Sequence, residues 1–203
     1  MYIKLTAACV AVAGLAACET ATPPTAGQAE YNAALAQYNA VVSNQRAAAS
    51  SLSGFTTFTG TAISNAEFAE EGGYRMIGDM EMRVDFNDNN GDNIRGEIEE
   101  INIIDRRNAD GSQLAEGVLN IRGTEVNGQI VATATGELGI VRVDSIARET
   151  TNVDLDLEGE TRNTSAFADT ITGRFSGFGA ASTTNGVEAE FTGGRFVLDD
   201  PSR

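Results

Sequence analysis

Between Tyr74 and Phe86 the even positions are Tyr74, Met76, Gly78, Met80, Met82, Val84 and Phe86. The odd ones are charged at Arg75, Asp79, Glu81, Arg83 and Asp85, and Ile77 alone breaks the pattern. A period of two held this long has one regular solution, a strand with one dry face and one wet face. Such a strand cannot stand alone in water, so the rest of the chain must supply partners for it.

It does. Asp88-Asn89-Asn90-Gly91-Asp92 is a run of turn formers, after which Ile94, Gly96 and Ile98 alternate. Past Glu99-Glu100 the apolar parity moves to Ile101 and Ile103, which predicts a bulge at the paired glutamates. Gly117, Leu119 and Ile121 follow, then Asn127-Gly128, a strong two-residue hairpin signal. Ile130, Ala132, Ala134, Gly136 and Leu138 form the return strand. Val153, Leu155, Leu157 and Gly159 alternate with Asp154, Asp156, Glu158 and Glu160. The last alternating sets are Ile171, Gly173 and Phe175, then Val187, Ala189 and Phe191, with Phe196 and Leu198 beyond Gly193-Gly194. A first strand near Phe55 to Ile63 brings the total to about eight, which a sandwich or a closed barrel can accommodate. The inward glycines Gly78, Gly96, Gly136, Gly159 and Gly173 favour the barrel, because they relieve crowding and permit strong coiling. The expected fold is all-β, an eight-stranded antiparallel β-barrel over residues 54–199. Its outward face is charged, the reverse of a lipid-facing barrel.

The N-terminal end has a different grammar. Lys4 precedes an apolar run from Leu5 to Leu15, broken only by Thr6 and Gly14 and too short to span a bilayer. Leu15-Ala16-Ala17-Cys18, followed by a Thr/Pro/Ala-rich stretch to Gly27, resembles a bacterial lipoprotein signal. The resemblance implies that residues 1–17 are removed, that Cys18 is lipidated and that residues 18–27 are a solvated tether. The alternative is an ordinary cleaved signal with an incidental Cys. Residues 28–50 are Ala-rich and free of Gly and Pro, with Tyr31, Leu35, Tyr38 and Val42 along one helical face. They predict a helix of about twenty residues docked by that stripe, or else a partly ordered extension of the tether.

The formal net charge is −15, which argues against nucleic acid or anionic headgroups as partners. With Cys9 lost and Cys18 blocked, no disulfide remains, so the domain must be held by core and ladders alone. The chain contains no His, which removes histidine-based nucleophile systems and histidine metal ligands. The expectation is a non-enzyme with no cofactor and no metal. Met76, Met80 and Met82 share a face that could bind Cu(I), although core packing is the simpler account of them. Asp85 to Asp92 carries Ca²⁺-type ligands without EF-hand spacing, and a polar hairpin turn is the simpler account. The outward column Asp154, Asp156, Glu158 and Glu160 would attract a basic partner, though alternation alone produces it.

Residues 171–181 (Ile-Thr-Gly-Arg-Phe-Ser-Gly-Phe-Gly-Ala-Ala) and 186–196 (Gly-Val-Glu-Ala-Glu-Phe-Thr-Gly-Gly-Arg-Phe) carry a further likeness. They resemble the last hairpin of the barrel domains of transferrin-binding protein B and related surface lipoproteins. Val84-Asp85-Phe86 with Gly96-Glu97-Ile98 is similar to an earlier hairpin of the same family. The family's Phe-Tyr-Gly-Pro is reduced here to Phe178-Gly179, without the proline. The resemblance implies one eight-stranded barrel with the N-terminal segment outside it. Known members capture proteins or haem at the cell surface, and no ligand-contacting residue carries over. The expectation is a non-catalytic, monomeric outer-membrane lipoprotein, anchored through Cys18, that binds a protein or small ligand at the cell envelope. Loops 105–116, 144–152 and 178–186 would supply the contact surface. The rival is a periplasm-facing structural lipoprotein with no soluble ligand. A third class, a barrel enclosing a small apolar molecule, requires an interior cavity.

Overall fold

The computed structural model describes residues 26–48, 52–69, 71–88, 91–107, 112–141, 148–163, 168–182 and 186–202. The expected signal peptide (1–17), Cys18 and all but the end of the expected tether (18–27) lie outside these residues. One helix, α1 (Gln28–Val41), precedes the strands β1 (Phe55–Phe68), β2 (Glu71–Asp85), β3 (Ile94–Asp105), β4 (Ser112–Leu114) and β5 (Leu119–Val126). These are followed by β6 (Gln129–Val141), β7 (Arg148–Asn163), β8 (Ala168–Ala181) and β9 (Ala189–Asp199). Short β4 and β5 both pair with β3. Between them, Glu116 exchanges both backbone hydrogen bonds with Gly139 of β6, at 2.9 and 2.7 Å. They are one interrupted strand, so the barrel has eight positions.

Every neighbour in the sheet is antiparallel and next in sequence, and β9 closes the circuit by pairing with β1. Closure leaves no long unpaired edge on this acidic chain. The alternation is realised as expected. On β2, Tyr74, Met76, Gly78, Met80, Met82 and Val84 are buried, while Asp79 and Arg83 are exposed. On β7, Val153, Leu155 and Leu157 point in, and Asp154, Asp156 and Glu158 point out. The interior is filled by its own side chains, Phe58, Phe68, Met76, Met80, Met82, Phe191 and Phe196 being the largest.

Two bulges occur where the parity shifts. Gly78 faces both Glu100 and Ile101, because Ile77 pairs with Asn102 and Asp79 with Glu99. Glu100 takes the bulge conformation at φ 48°, and Ile101 and Ile103 are thereby turned inward. The second bulge is at Thr192-Gly193, both opposite Ser176. Gly159 and Gly173 are paired across β7 and β8, and a Cβ on either would meet the Phe196 ring. The inward glycines therefore accommodate that ring as well as the curvature.

Helix α1 lies outside the barrel. Its first turn is closed by Glu30, whose Oε2 accepts the Gly27 N–H at 2.9 Å. Tyr31 and Ala34 form a second apolar cluster with the outward-facing Ile63, Ile77 and Ile104. Ile77, the exception to the alternation, is part of the helix's docking site. The Arg75 guanidinium sits 4.5 Å from the Tyr31 ring centroid, and Arg195 sits 5.4 Å from that of Tyr38.

The helix is shorter than the 28–50 expected from composition. It ends at Val41, Val42 is its C-cap, and Ala34 stands with Tyr31 and Tyr38 on the buried face where Leu35 and Val42 are only half-buried. β7 outruns β6, and its overhang competes for the chain after Val42. Ala47 N–H donates to the Thr161 carbonyl at 2.9 Å, Asn163 N–H to Gln45 at 3.0 Å, and Arg162 Nη1 to the Asn44 carbonyl at 2.7 Å. Residues 49–50 of the expected helix lie outside the described residues.

A charge at the docking site tests this arrangement. Ile77→Asp should cost about 2 kcal/mol and leave the barrel closed. Limited proteolysis should then cut first within residues 28–41; an unchanged cleavage pattern would contradict the docking.

Candidate functional site

Because the strands alternate in direction, the segments joining β3 to β4, β6 to β7 and β8 to β9 emerge at one end of the barrel. Those are the three regions that sequence singles out as a contact surface, with corrected limits. Ser112–Leu114 is strand, β7 begins at Arg148 and β8 runs to Ala181, so the connections are 106–111, 142–147 and 182–188. Residues 108–111, 142–147 and 183–185 lie outside the described set. The flanks are tied down: Arg107 N–H donates to Asp105 Oδ1 at 2.8 Å, Ser182 Oγ to Glu137 Oε2 at 2.8 Å, and Val187 N–H to the Thr150 carbonyl at 3.1 Å. Ala26 is at this same end, its carbonyl accepting the Ser112 hydroxyl.

The opposite end carries the β2–β3 and β5–β6 connections. Asn93, missed by sequence reasoning, is buried there, and its amide ties two hairpins together. Nδ2 lies 3.0–3.1 Å from the carbonyls of Asp85, Asp88 and Glu125, and Oδ1 accepts the Glu125 N–H at 2.6 Å. Asp85 Oδ1 accepts the Asn87 N–H at 3.0 Å, and Gly128 N–H donates to Glu125 Oε1. Among the described residues of this stretch, the Asp85 and Asn87 side chains accept backbone N–H groups, from Asn87 and Gly54. A single buried Asn inside a Gly/Asn/Asp run carries no signal that separates it from an exposed one.

Met76, Met80 and Met82 are buried in the core and packed among Ile98, Ile101 and Leu119. Among the described residues no group of three His, Cys, Asp or Glu is placed to hold a metal ion. Among the described residues, clefts of about 330 to 540 Å³ lie on the outer surface of the barrel.

The acidic column on β7 is less bare than alternation implies. Glu160 is paired with Arg162 at 3.0 Å and Arg46 at 3.8 Å. Arg174 is the cross-strand partner of Glu158, and Arg195 is the partner of Arg174. These arginines line a cleft of about 540 Å³ with Asp156, Glu158 and Ser176. Tyr38 raises the pKa of Arg174, first through a side-chain hydrogen bond and then through charge. Phe178, beside Asp154, is 67% exposed. Asp154 and Asp156 remain open to solvent at one end of the column, while the Glu160 end is neutralised.

Comparison with known protein families, with curated proteins and with solved structures gives no significant match for the chain.

Proposed function

We propose that this chain is a non-catalytic, lipid-anchored outer-membrane protein whose barrel binds a protein or small ligand, in the manner of the transferrin-binding protein B-like lipoproteins. The observation that carries the reading is a closed barrel filled by its own side chains, with three long connections gathered at one end. A filled interior favours contact at loops or on the outer face over enclosure of an apolar ligand. The absence of His from the sequence removes the commonest acid–base group. The barrel with its helix outside is the arrangement that the resemblance implies.

Anchoring constrains how those loops are used. Cys18 is eight residues from Ala26, a leash of at most about 28 Å. Ala26 is at the loop-bearing end, so capture by these loops requires an extended leash or a barrel lying on its side. Whole cells treated with an external protease test the exposed face. Degradation supports surface capture, and full protection favours the periplasm-facing structural role. A pull-down with the lipid-free domain, residues 28–203, should retain a partner that the anchored form also retains.

Replacing Cys18 with Ser should leave the domain folded, because the barrel makes its own core. It should also release the protein from the membrane fraction or stall its processing. Normal processing with unchanged membrane retention would defeat the lipoprotein reading.

A further inference from the structure

The strand registers set three arginines side by side on the outer wall. Arg83 of β2 stands opposite Arg95 of β3, and Arg95 stands opposite Arg122 of β5. Neighbouring strands lie about 4.8 Å apart, so the row is about 10 Å long. Like charges directly opposite one another repel and destabilise a sheet. The chain has 29 acidic residues to 14 basic ones, so acids that could separate the three arginines are plentiful, and the register does not use them.

Two other cross-strand arginine pairs are covered. Arg174 and Arg195 share Tyr38 of α1, which bonds the first and lies 5.4 Å from the second. Arg46 and Arg162 share Glu160. In the row of three, Arg83 meets Glu81 through Nε at 2.7 Å. Arg95 and Arg122 are exposed, and neither makes an ion pair or a hydrogen bond among the described residues. The row is thus a repulsive arrangement that nothing within the described chain neutralises.

Its two borders differ. Toward the loop-bearing end lie Glu81 and Glu97, opposite one another. Toward the β2–β3 turn the border is apolar at its ends. Phe55, opposite Asp85, is 66% exposed, Val131, opposite Thr124, is 63% exposed, and Val126 beyond Thr124 is 59% exposed. These borders select the partner. Screening at physiological salt confines charge effects to about 8 Å, so the row acts locally in spite of the net charge of −15. A bilayer or a nucleic-acid duplex would press its anionic surface on Glu81 and Glu97 as well, whereas a single extended chain passes beside them. A phosphate chain makes no use of Phe55, Val126 and Val131, whereas a peptide carries carboxylates and apolar groups together, and guanidinium forks match carboxylates. We infer that this face binds an acidic peptide segment of a partner protein, its carboxylates on Arg83, Arg95 and Arg122 and its apolar side chains on Phe55, Val126 and Val131. The inference rests on the proposed binding role and places the partner on the barrel wall, away from the loops.

A labelled peptide of about eight residues, about 26 Å long when extended, with Asp at its centre and Val on both flanks, is the probe. It is titrated into the full-length chain in detergent and followed by fluorescence anisotropy at physiological salt. The expected result is saturable binding that disappears when Asn replaces Asp in the peptide. Arg95→Gln and Arg122→Gln should each weaken it by about threefold or more, the scale of one exposed charge pair, and Val131→Ser about as much. Neither arginine variant should melt below the parent, because each relieves repulsion within the row. Arg106→Gln, at the loop-bearing end, should bind as the parent does. Absence of saturable binding overturns the inference, and so does equal weakening by Arg106→Gln, which would mean general attraction to arginine. Tighter binding of inorganic polyphosphate at the same arginines overturns it in favour of a phosphate-chain site. A pull-down partner retained equally by the Arg95→Gln/Arg122→Gln double variant leaves the binding role standing and overturns this site.

Discussion

A chain ended at residue 185 should show no cooperative melting transition. It lacks β9, which carries the buried Phe191, Phe196, Val197 and Leu198 and pairs with both β1 and β8. Burial of those four side chains is worth roughly 6–12 kcal/mol, as much as the whole stability of a typical domain, about 5–15 kcal/mol. The loss also opens two long edges at once, and the Phe196 ring no longer covers Gly159 and Gly173. Thermal scans by near-ultraviolet circular dichroism, with light scattering for aggregation, report the result. A cooperative transition at the parent temperature would mean that β9 does not close the barrel.

The barrel was legible because its information is periodic. Alternation assigns each side chain to a face without reference to any distant residue, and each parity shift, at Glu99-Glu100 and Gly193-Gly194, marks a bulge that the pairing registers contain. The helix boundary was not legible in this way. Residues 42–48 have acceptable helix composition, and what ends the helix is the β7 overhang at Thr161–Asn163, more than a hundred residues away in sequence. Ile77 stood out as an exception, but its meaning depends on which face α1 covers, and that is a tertiary fact. The same holds for the cleft between α1 and the β2–β3 bulge: Glu30, Asp79, Glu100 and Asn102 line it from three elements, and no spacing in the chain relates them. Asp154 to Glu160 shows the converse, a pattern visible in sequence, while Arg46, which pairs with Glu160, and Arg174, the register partner of Glu158, come from elsewhere. Periodic features specify faces; sites assembled across strands appear only with the register.

The paired glycines of the last strand should fail for different reasons when substituted. Gly193 sits at φ 60°, with open space around a would-be Cβ apart from Asn65 Nδ2 at 3.5 Å. Its requirement is conformational, and a β-branched residue there is strained. Gly193→Val should cost about 1–3 kcal/mol, whereas Gly193→Asn should cost well under half of that, because Asn tolerates the left-handed region. Gly194 has an ordinary φ, but a Cβ there would meet the Phe175 ring and backbone carbonyl. Its requirement is space, so Gly194→Val should cost about 1–3 kcal/mol through overpacking, and Asn should be no better than Val. Each kcal/mol lowers the melting temperature by about 2–4 °C in a domain of this size. Shortening Phe175 to Ala should recover part of the Gly194→Val loss and none of the Gly193→Val loss, a coupling that a double-mutant cycle isolates. If Phe175→Ala couples equally to both glycine variants, the division of roles is wrong. Indifference of the barrel to both valines would place Thr192-Gly193 outside the closing strand, and the register that sets Phe196 over Gly173 would go with it.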